Sequence, residues 1–226
     1  METITVKELL AAVHGELLQG KGTAKILGVN TDSRTVKAGE VFLPLVGERF
    51  DGHDYIEKAI SAGAEGCLCA RVPETLLPGK FYIKVSDTLL ALKDLAAWYR
   101  AQFSIPFVQE TGSVGKTTAK EMVASVLSQR WNTLKTEKNF NNQLGVPLTL
   151  FRLEPEHEAA VVEMGVSHFG DMAPLAAMVQ PTAMLFTIIG HAHLEFLRDR
   201  RGVLQEKTSV LDTMPDDACL LYTSDA

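Results

Sequence analysis

The sequence predicts an α/β protein in two parts: a small α/β domain over residues 1–104, then a parallel-sheet domain of phosphate-loop type over residues 105–226. Three observations predict it. From Pro106 onward, short apolar runs alternate with helical periodicities, which implies a mostly parallel sheet covered by helices. A glycine-rich turn, Gly112-Ser113-Val114-Gly115-Lys116-Thr117-Thr118, stands between one such run and the next periodicity. Finally, Ser104-Ile105-Pro106 breaks the pattern of the first half, because proline disfavours helix at the residue before it.

Residues 3–18 read as a short strand leading into an amphipathic helix, with Val6, Leu9, Leu10 and Val13 at helical spacing. Ile26 to Val29 read as a strand, ended by the polar turn Asn30-Thr31-Asp32-Ser33-Arg34. A strand is expected at 41–46, a turn-rich loop at 47–54 and a helix at 55–62, with Gly63 and Gly66 marking its exit. Short strands at 66–70 and 81–85 and a helix at 89–100 complete the first part. In the second part, strand 107–110 leads through the glycine-rich turn into helix 117–129, followed by a polar loop at 136–143. Strand 159–164, helix 172–179 and strand 184–189 follow, the last running into Gly190 and His191-Ala192-His193-Leu194-Glu195.

Composition narrows the function classes. Of 226 residues, 46% are hydrophobic and 22% charged, which excludes a mostly disordered chain. A net charge of −6 argues against a general nucleic-acid or anionic-membrane binder. The longest strongly apolar stretch, residues 182–190, is far below the ~18–20 residues that span a bilayer. METITVKELL has neither a basic start nor an apolar core, so no signal peptide is expected there. Cys67, Cys69 and Cys219 are odd in number, and the alternation around Cys67 and Cys69 reads as a strand carrying buried, reduced thiols. A cytoplasmic protein is the expectation.

The turn at 112–118 has the chemistry of a phosphate loop. Glycines let several N–H groups face one anion, and the following helix adds its positive dipole end. Lys116 is placed to neutralise β/γ-phosphate charge and the Thr117 hydroxyl to help hold Mg²⁺. The longer signature wants glycine at position 110, where this chain has Glu110, a negative charge expected to weaken polyphosphate binding. Glu163, at the end of an apolar strand, is either a metal ligand or a capping or salt-bridged carboxylate. His193 falls where a second metal could sit, and equally suits a structural histidine. On sequence grounds alone Lys207 is a surface lysine.

The segments TGSVGKTTAKEM, TEKNFNNQLGVPLTLFRLEPEHEAAVVEMGVSHFG and IGHAHLE resemble the Mur ligases. Within that family, Ala192-His193-Leu194-Glu195 favours the type that adds D-alanyl-D-alanine to UDP-N-acetylmuramoyl-tripeptide over the third-residue-adding type. Asp32-Ser33-Arg34, Gly39, Phe42, Gly47 and Asp51-Gly52-His53 resemble the family's UDP-sugar-binding domain. The resemblance implies that Lys116 and Thr117 bind ATP phosphates and the first Mg²⁺, that Glu163 ligates Mg²⁺, and that His193 ligates a second. It implies a CO₂-derived carbamate on Lys207, a substrate groove lined by Asn139, Asn141 and Asn142, and uridine-nucleotide contacts from Ser33 and Arg34. The implied chemistry is phosphorylation of the tripeptide carboxylate by ATP, then attack of the D-alanyl-D-alanine amine on the acyl phosphate. The expected partners are these two substrates, with no nucleic acid or membrane, and the expected state is a monomer.

The chain departs from the family at Gln109-Glu110, Gln143, Ile188, His191 and Thr208-Ser209, and its tail, ACLLYTSDA, no longer resembles it. The family has three domains. The expectation here is one entire UDP-precursor-binding domain, an incomplete ATP-binding domain and no C-terminal domain, hence a truncated ligase with little activity alone. Two other readings stay open: another amide ligase of the superfamily, third-residue-adding or folylpolyglutamate-type, and a non-catalytic UDP-precursor or nucleotide-binding module.

Overall fold

The computed structural model describes residues 1–222, so the last four residues of the tail lie outside the described residues. Two compact units are present, divided between Trp98 and Tyr99.

The first unit opens with β1 (Ile4–Thr5) and α1 (Val6–Ala12). Thr5 caps the helix reciprocally: its hydroxyl accepts from the Glu8 N–H at 3.2 Å, and the Glu8 carboxylate accepts from the Thr5 N–H at 2.7 Å. The helix stops at Ala12, short of the periodicity read to residue 18. Residues 16–19 instead form β2 (Glu16–Gln19), because Leu17 pairs across to Ile83 and the sheet ladder takes over the backbone hydrogen bonds. There follow β3 (Lys25–Ile26), β4 (Gly28–Asn30), β5 (Glu40–Phe42), α2 (Ile56–Ser61), β6 (Gly66–Cys69), β7 (Phe81–Lys84) and α3 (Thr88–Arg100). The strand expected at 41–46 is shorter, ending at Phe42, and the loop after it holds a 3₁₀ turn, Gly52–Tyr55. The five-stranded sheet has the order β2-β7-β6-β5-β4, parallel except for β2 against β7. β6 is buried along its length, which suits the small Cys67 and Cys69 side chains that pack beneath Tyr82.

The second unit begins within the last turn of α3, although the proline break lies further on. Tyr99 Oη donates to Leu153 O at 2.7 Å. The buried Arg100 guanidinium donates to Val179 O at 2.5 Å and Gln180 O at 2.9 Å, and lies 3.9 Å from the Phe107 ring centroid. A cation at a helix C-terminus satisfies carbonyls that the helix itself leaves unpaired.

The unit continues with β8 (Phe107–Thr111), α4 (Lys116–Leu127), β9 (Thr133–Lys135), α5 (Gly145–Leu150), β10 (Ala159–Glu163), α6 (Met172–Val179), β11 (Ala183–Phe186), α7 (Leu194–Leu197), α8 (Arg200–Thr208) and β12 (Cys219–Tyr222). All five strands are parallel, in the order β12-β11-β8-β10-β9. β10 is fully buried, as a central strand covered on both faces must be. From β8 the chain steps to β9 and β10 on one side, then to β11 and β12 on the other. The carboxyl end of β8 is therefore the switch point where an open parallel sheet places its ligand. The sequence reading missed β9, α5, α7, α8 and β12, and extended β11 three residues beyond its observed end.

Candidate active site

The loop leaving β8 is held in shape by its own backbone and by the segment leaving β11. Ser113 N–H donates to Ile188 O at 2.7 Å, and Thr187 N–H to Thr111 O at 2.9 Å. Thr187 Oγ1 donates to Val114 O at 2.7 Å, and Gly190 N–H donates to Ser113 Oγ at 3.0 Å. This packing explains Gly112, where an added Cβ would sit 1.8 Å from Thr187 Oγ1. Gly115 is needed for a different reason. As the N-cap of α4 it has φ +85° and ψ 0°, a left-handed conformation that side chains disfavour.

Lys116, at the start of α4, folds back so that its Nζ donates to Gly112 O at 3.0 Å. Thr117 and Thr118 are exposed at the helix N-terminus. The Thr117 hydroxyl donates to Glu163 Oε2 at 3.2 Å, and Asn141 Nδ2 donates to Glu163 Oε1 at 2.8 Å. Glu163 is 2% exposed, and its backbone N–H donates to Thr136 Oγ1 at 3.0 Å. Three of the expected site residues, Thr117, Asn141 and Glu163, thus converge on one point at the carboxyl edge of the sheet. A hydroxyl and a carboxylate set side by side are the hard oxygen donors that Mg²⁺ takes.

Asn142 Oδ1 accepts from Leu144 N–H at 3.1 Å and Gly145 N–H at 2.9 Å, starting α5. Asn139 is exposed, and its carbonyl accepts from Asn141 N–H at 2.8 Å. His193 is exposed with φ +53°, immediately before α7, and no hydrogen bond joins its ring to Thr117 or Glu163. Among the described residues no three His, Cys, Asp or Glu side chains gather as a metal cluster. Lys207 is not a surface lysine: it is 1% exposed, on the inner face of α8.

The Glu110 carboxyl faces a buried charge cluster rather than solvent. Burial, and after it the neighbouring Glu163, pushes it up to about 8, while Lys116, Lys120 and Lys207 pull the other way. Glu110 is thus largely protonated at pH 7, so the charge it sets against a polyphosphate is smaller than its residue type suggests. Burial, then Lys116, lowers the Lys207 ammonium to about 8.

Two further residues escaped the sequence reading. Glu206 accepts from Gly170 N–H at 2.9 Å and Met172 N–H at 2.7 Å, tying α8 to the N-terminus of α6. Lys120 is buried one turn after Lys116 and pairs with Glu121 at 3.1 Å. The stripe Gly202, Val203, Glu206, Lys207 was the available signal, because helical spacing puts both charged residues on the buried face.

In the first unit, Ser33 and Arg34 line a pocket of about 470 Å³ together with Phe50, Tyr55 and Lys58. That is the size of a small-molecule site. Asp32 grips Arg34 bidentately, Nε to Oδ1 at 2.9 Å and Nη2 to Oδ2 at 2.7 Å, and the Asp32 carboxyl is held down to about 2 by these bonds. His53, buried beneath the same loop, bonds Asp51 Oδ1 through Nδ1 at 2.6 Å and accepts from Ala70 N–H at Nε2.

Residues 111–226 match the Mur ligase middle domain, and residues 25–100 match the Mur ligase family catalytic domain. The chain belongs to the Mur ligase family. It is 41% identical over 201 residues to the UDP-N-acetylmuramoyl-tripeptide–D-alanyl-D-alanine ligase of Synechocystis, covering 89% of this chain and 44% of that one. The Escherichia coli ligase of the same name is 40% identical over 225 residues, covering 100% and 49%. Among solved structures, MurF from Acinetobacter baumannii superposes with a TM-score of 0.93 at 35% identity, covering 98% of this chain and 49% of that one. The MurF ligase from Thermotoga maritima, solved in complex with ADP, gives 0.80 at 31% identity, covering 87% and 45%. The chain spans about half the length of the Mur ligases it matches. No helix among the described residues is long and apolar enough to cross a membrane.

Proposed function

We propose that this chain carries the nucleotide site and the UDP-precursor site of an ATP-dependent ligase adding D-alanyl-D-alanine to UDP-N-acetylmuramoyl-tripeptide. The observation that carries the reading is the pre-assembled phosphate loop with Thr117 and Glu163 held 3.2 Å apart beside it. The names of the high-coverage relatives support the choice of substrates.

In this reading the γ-phosphoryl of ATP passes to the tripeptide carboxylate and ADP leaves. The D-alanyl-D-alanine amine then adds to the activated carbonyl, phosphate departs and an amide remains. The N–H groups of Gly112 to Thr118 cradle the phosphates, and Lys116 exchanges its bond to Gly112 O for a phosphate oxygen. Thr117 and Glu163 would hold Mg²⁺, with Asn141 orienting the carboxylate, and His193 would supply a ligand for a second ion. The metal contributes charge neutralisation on the phosphates. Asn139 and Asn142 belong to the loop lining the tripeptide groove. Lys207 is the site for a CO₂-derived carbamate, since burial favours the neutral amine that this modification requires. Ser33 and Arg34 hold the uridine nucleotide, with the Asp32 grip fixing the guanidinium. Use of nucleotide substrates and free thiols at Cys67, Cys69 and Cys219 fit a cytoplasmic monomer.

Calorimetry with Mg·ATP and with UDP-N-acetylmuramoyl-tripeptide tests the two sites separately. Both ligands are expected to bind. Lys116→Met should weaken ATP roughly 10–100-fold and leave precursor affinity and melting temperature unchanged. No ATP binding by the unaltered chain, or equal binding by the variant, defeats the nucleotide assignment.

A further inference from the structure

Three charged residues line the pocket of the first unit: Asp32, Arg34 and Lys58. Two of them cancel. The Arg34 guanidinium donates to the Asp32 carboxylate through Nε at 2.9 Å and through Nη2 at 2.7 Å, and the Arg34 N–H donates to the same carboxylate at 2.9 Å. The turn that carries the pair is itself fixed: Asn30 Oδ1 accepts from Asp32 N–H at 2.9 Å, and Asn30 Nδ2 donates to Glu40 Oε2 at 2.9 Å. A guanidinium whose fork is filled by a carboxylate has little charge left for a second anion. Lys58, on α2, is in the opposite state. It is exposed, and among the described residues no hydrogen bond or ion pair engages its ammonium. Arg71, in the neighbouring loop, is held by Asp51 and Asp54 and does not line the pocket. The pocket therefore presents one unpaired cation. Beside it lie the rings of Phe50 and Tyr55 and the hydroxyl of Ser33, a residue 8% exposed whose side chain is likewise without a bond among the described residues.

We propose that Lys58 is the residue by which this pocket recognises the diphosphate of its ligand, and that the Asp32–Arg34 pair is a charge-neutral wall against the nucleoside. The proposal rests on the reading of the pocket as the uridine-nucleotide site. A diphosphate is strongly anionic at neutral pH, and an ion pair with it forms most readily at a cation that no protein carboxylate already occupies. Lys58 meets that condition and Arg34 does not. The ammonium suits the task in a second way: it is a point charge on a flexible stem, able to follow either phosphate of the pair. The planar Asp32–Arg34 pair, the two aromatic rings and the Ser33 hydroxyl offer flat surface and one hydrogen-bonding group, which fit a base and ribose rather than a polyanion. The division has a consequence for specificity. Lys58 sets how much tighter the diphosphate is held than the bare nucleoside, while the Asp32–Arg34 wall acts on both alike.

The test is calorimetric titration of the full 226-residue chain with UDP and with uridine, reading the ratio of the two affinities. The chain is compared with Lys58→Gln, with Lys58→Arg, and with the charge-neutral double variant Asp32→Asn plus Arg34→Gln. Lys58→Gln should lower the UDP-to-uridine ratio roughly tenfold and leave uridine affinity and melting temperature unchanged, since Lys58 is exposed and engages no protein group. Lys58→Arg should restore most of the ratio. The double variant should weaken UDP and uridine alike and keep the ratio. Raising the salt from about 50 to about 300 mM should lower the ratio in the unaltered chain and barely move it in Lys58→Gln. An unchanged ratio in Lys58→Gln, or a ratio lost in the double variant, overturns the proposal while the uridine site stands. Binding of neither ligand by the unaltered chain removes the uridine-site reading, and the proposal with it.

Discussion

The phosphate loop and the segment 191–198 leave the carboxyl ends of two neighbouring strands, β8 and β11, yet they are built in opposite ways. The loop is braced before any ligand arrives: Ser113, Thr187 and Gly190 lace it to the β11 side, and its glycines sit where a Cβ would clash or strain the backbone. Segment 191–198 is mostly exposed and holds two non-glycine residues at positive φ, His193 at +53° and Arg198 at +69°. Backbone strain of that kind costs of order 1 kcal/mol per residue. The anion-binding half of the site is thus set by the fold. The His193 half carries an exposed side chain on a left-handed backbone.

The largest effect that could break this contrast lies at Gly112. Gly112→Ala drives a methyl group into Thr187 Oγ1, a side chain already bonded to Val114 O, so the clash cannot be relieved at the tip of a flexible chain. A loss of about 3 kcal/mol in urea unfolding is expected, with ATP binding lost alongside. A variant as stable as the original would show that the brace between β8 and β11 is loose.

Glu110 comes next, and its effect depends on pH. An acid whose folded-state pKa is raised, here from 4.5 to about 8, destabilises the fold increasingly as pH climbs from 4.5 toward 8 and adds no penalty below 4.5. Glu110→Leu should therefore raise the stability at pH 8 by about 2 kcal/mol, and the gain should shrink toward pH 5. Thermal melts of both proteins across pH 5–8.5 read the difference. A constant gap would mean that packing rather than ionisation sets the cost of this residue.

Glu206 sharpens the comparison from the supporting side. Its carboxylate accepts two N–H groups at the start of α6, and Glu206→Gln turns one charged acceptor into a donor facing a donor. A loss of about 1–2 kcal/mol is expected by urea unfolding. No loss would show that the N–H groups of Gly170 and Met172 find water instead.

Much of the parallel sheet is legible in the residues. β10 and β11 are short and apolar or nearly so, which is how a covered parallel strand reads, whereas β8 is apolar only at Phe107 and Val108 and is legible because Pro106 and Gly112 bound it. β9 escapes because three residues, Thr133–Lys135, carry no period. α5 escapes because Pro147 interrupts its first turn, where a missing N–H is harmless. At the site, Lys116 and Thr117 are visible because the motif fixes their spacing from a strand end, and Glu163 stands out only as a carboxylate closing an apolar run, open between a metal ligand and a capping or salt-bridged residue. Lys207 and Glu206 are not visible as buried residues without the helical stripe, and the isolation of Glu110 is not visible at all, since only the fold decides which side chains fail to reach it.

The smallest expected change in stability belongs to His193, and for that reason it discriminates best between the two halves. Its ring is exposed, so His193→Ala removes no buried contact and should move the melting curve by less than about 0.5 kcal/mol. Its proposed role concerns a second Mg²⁺, so the effect should appear in a Mg²⁺ titration of ATP binding, with the midpoint shifted to higher metal concentration while Lys116-dependent affinity at saturating Mg²⁺ persists. A large stability loss would move His193 into the braced half of the site. An unshifted Mg²⁺ midpoint would leave its left-handed backbone without a ligand to explain it.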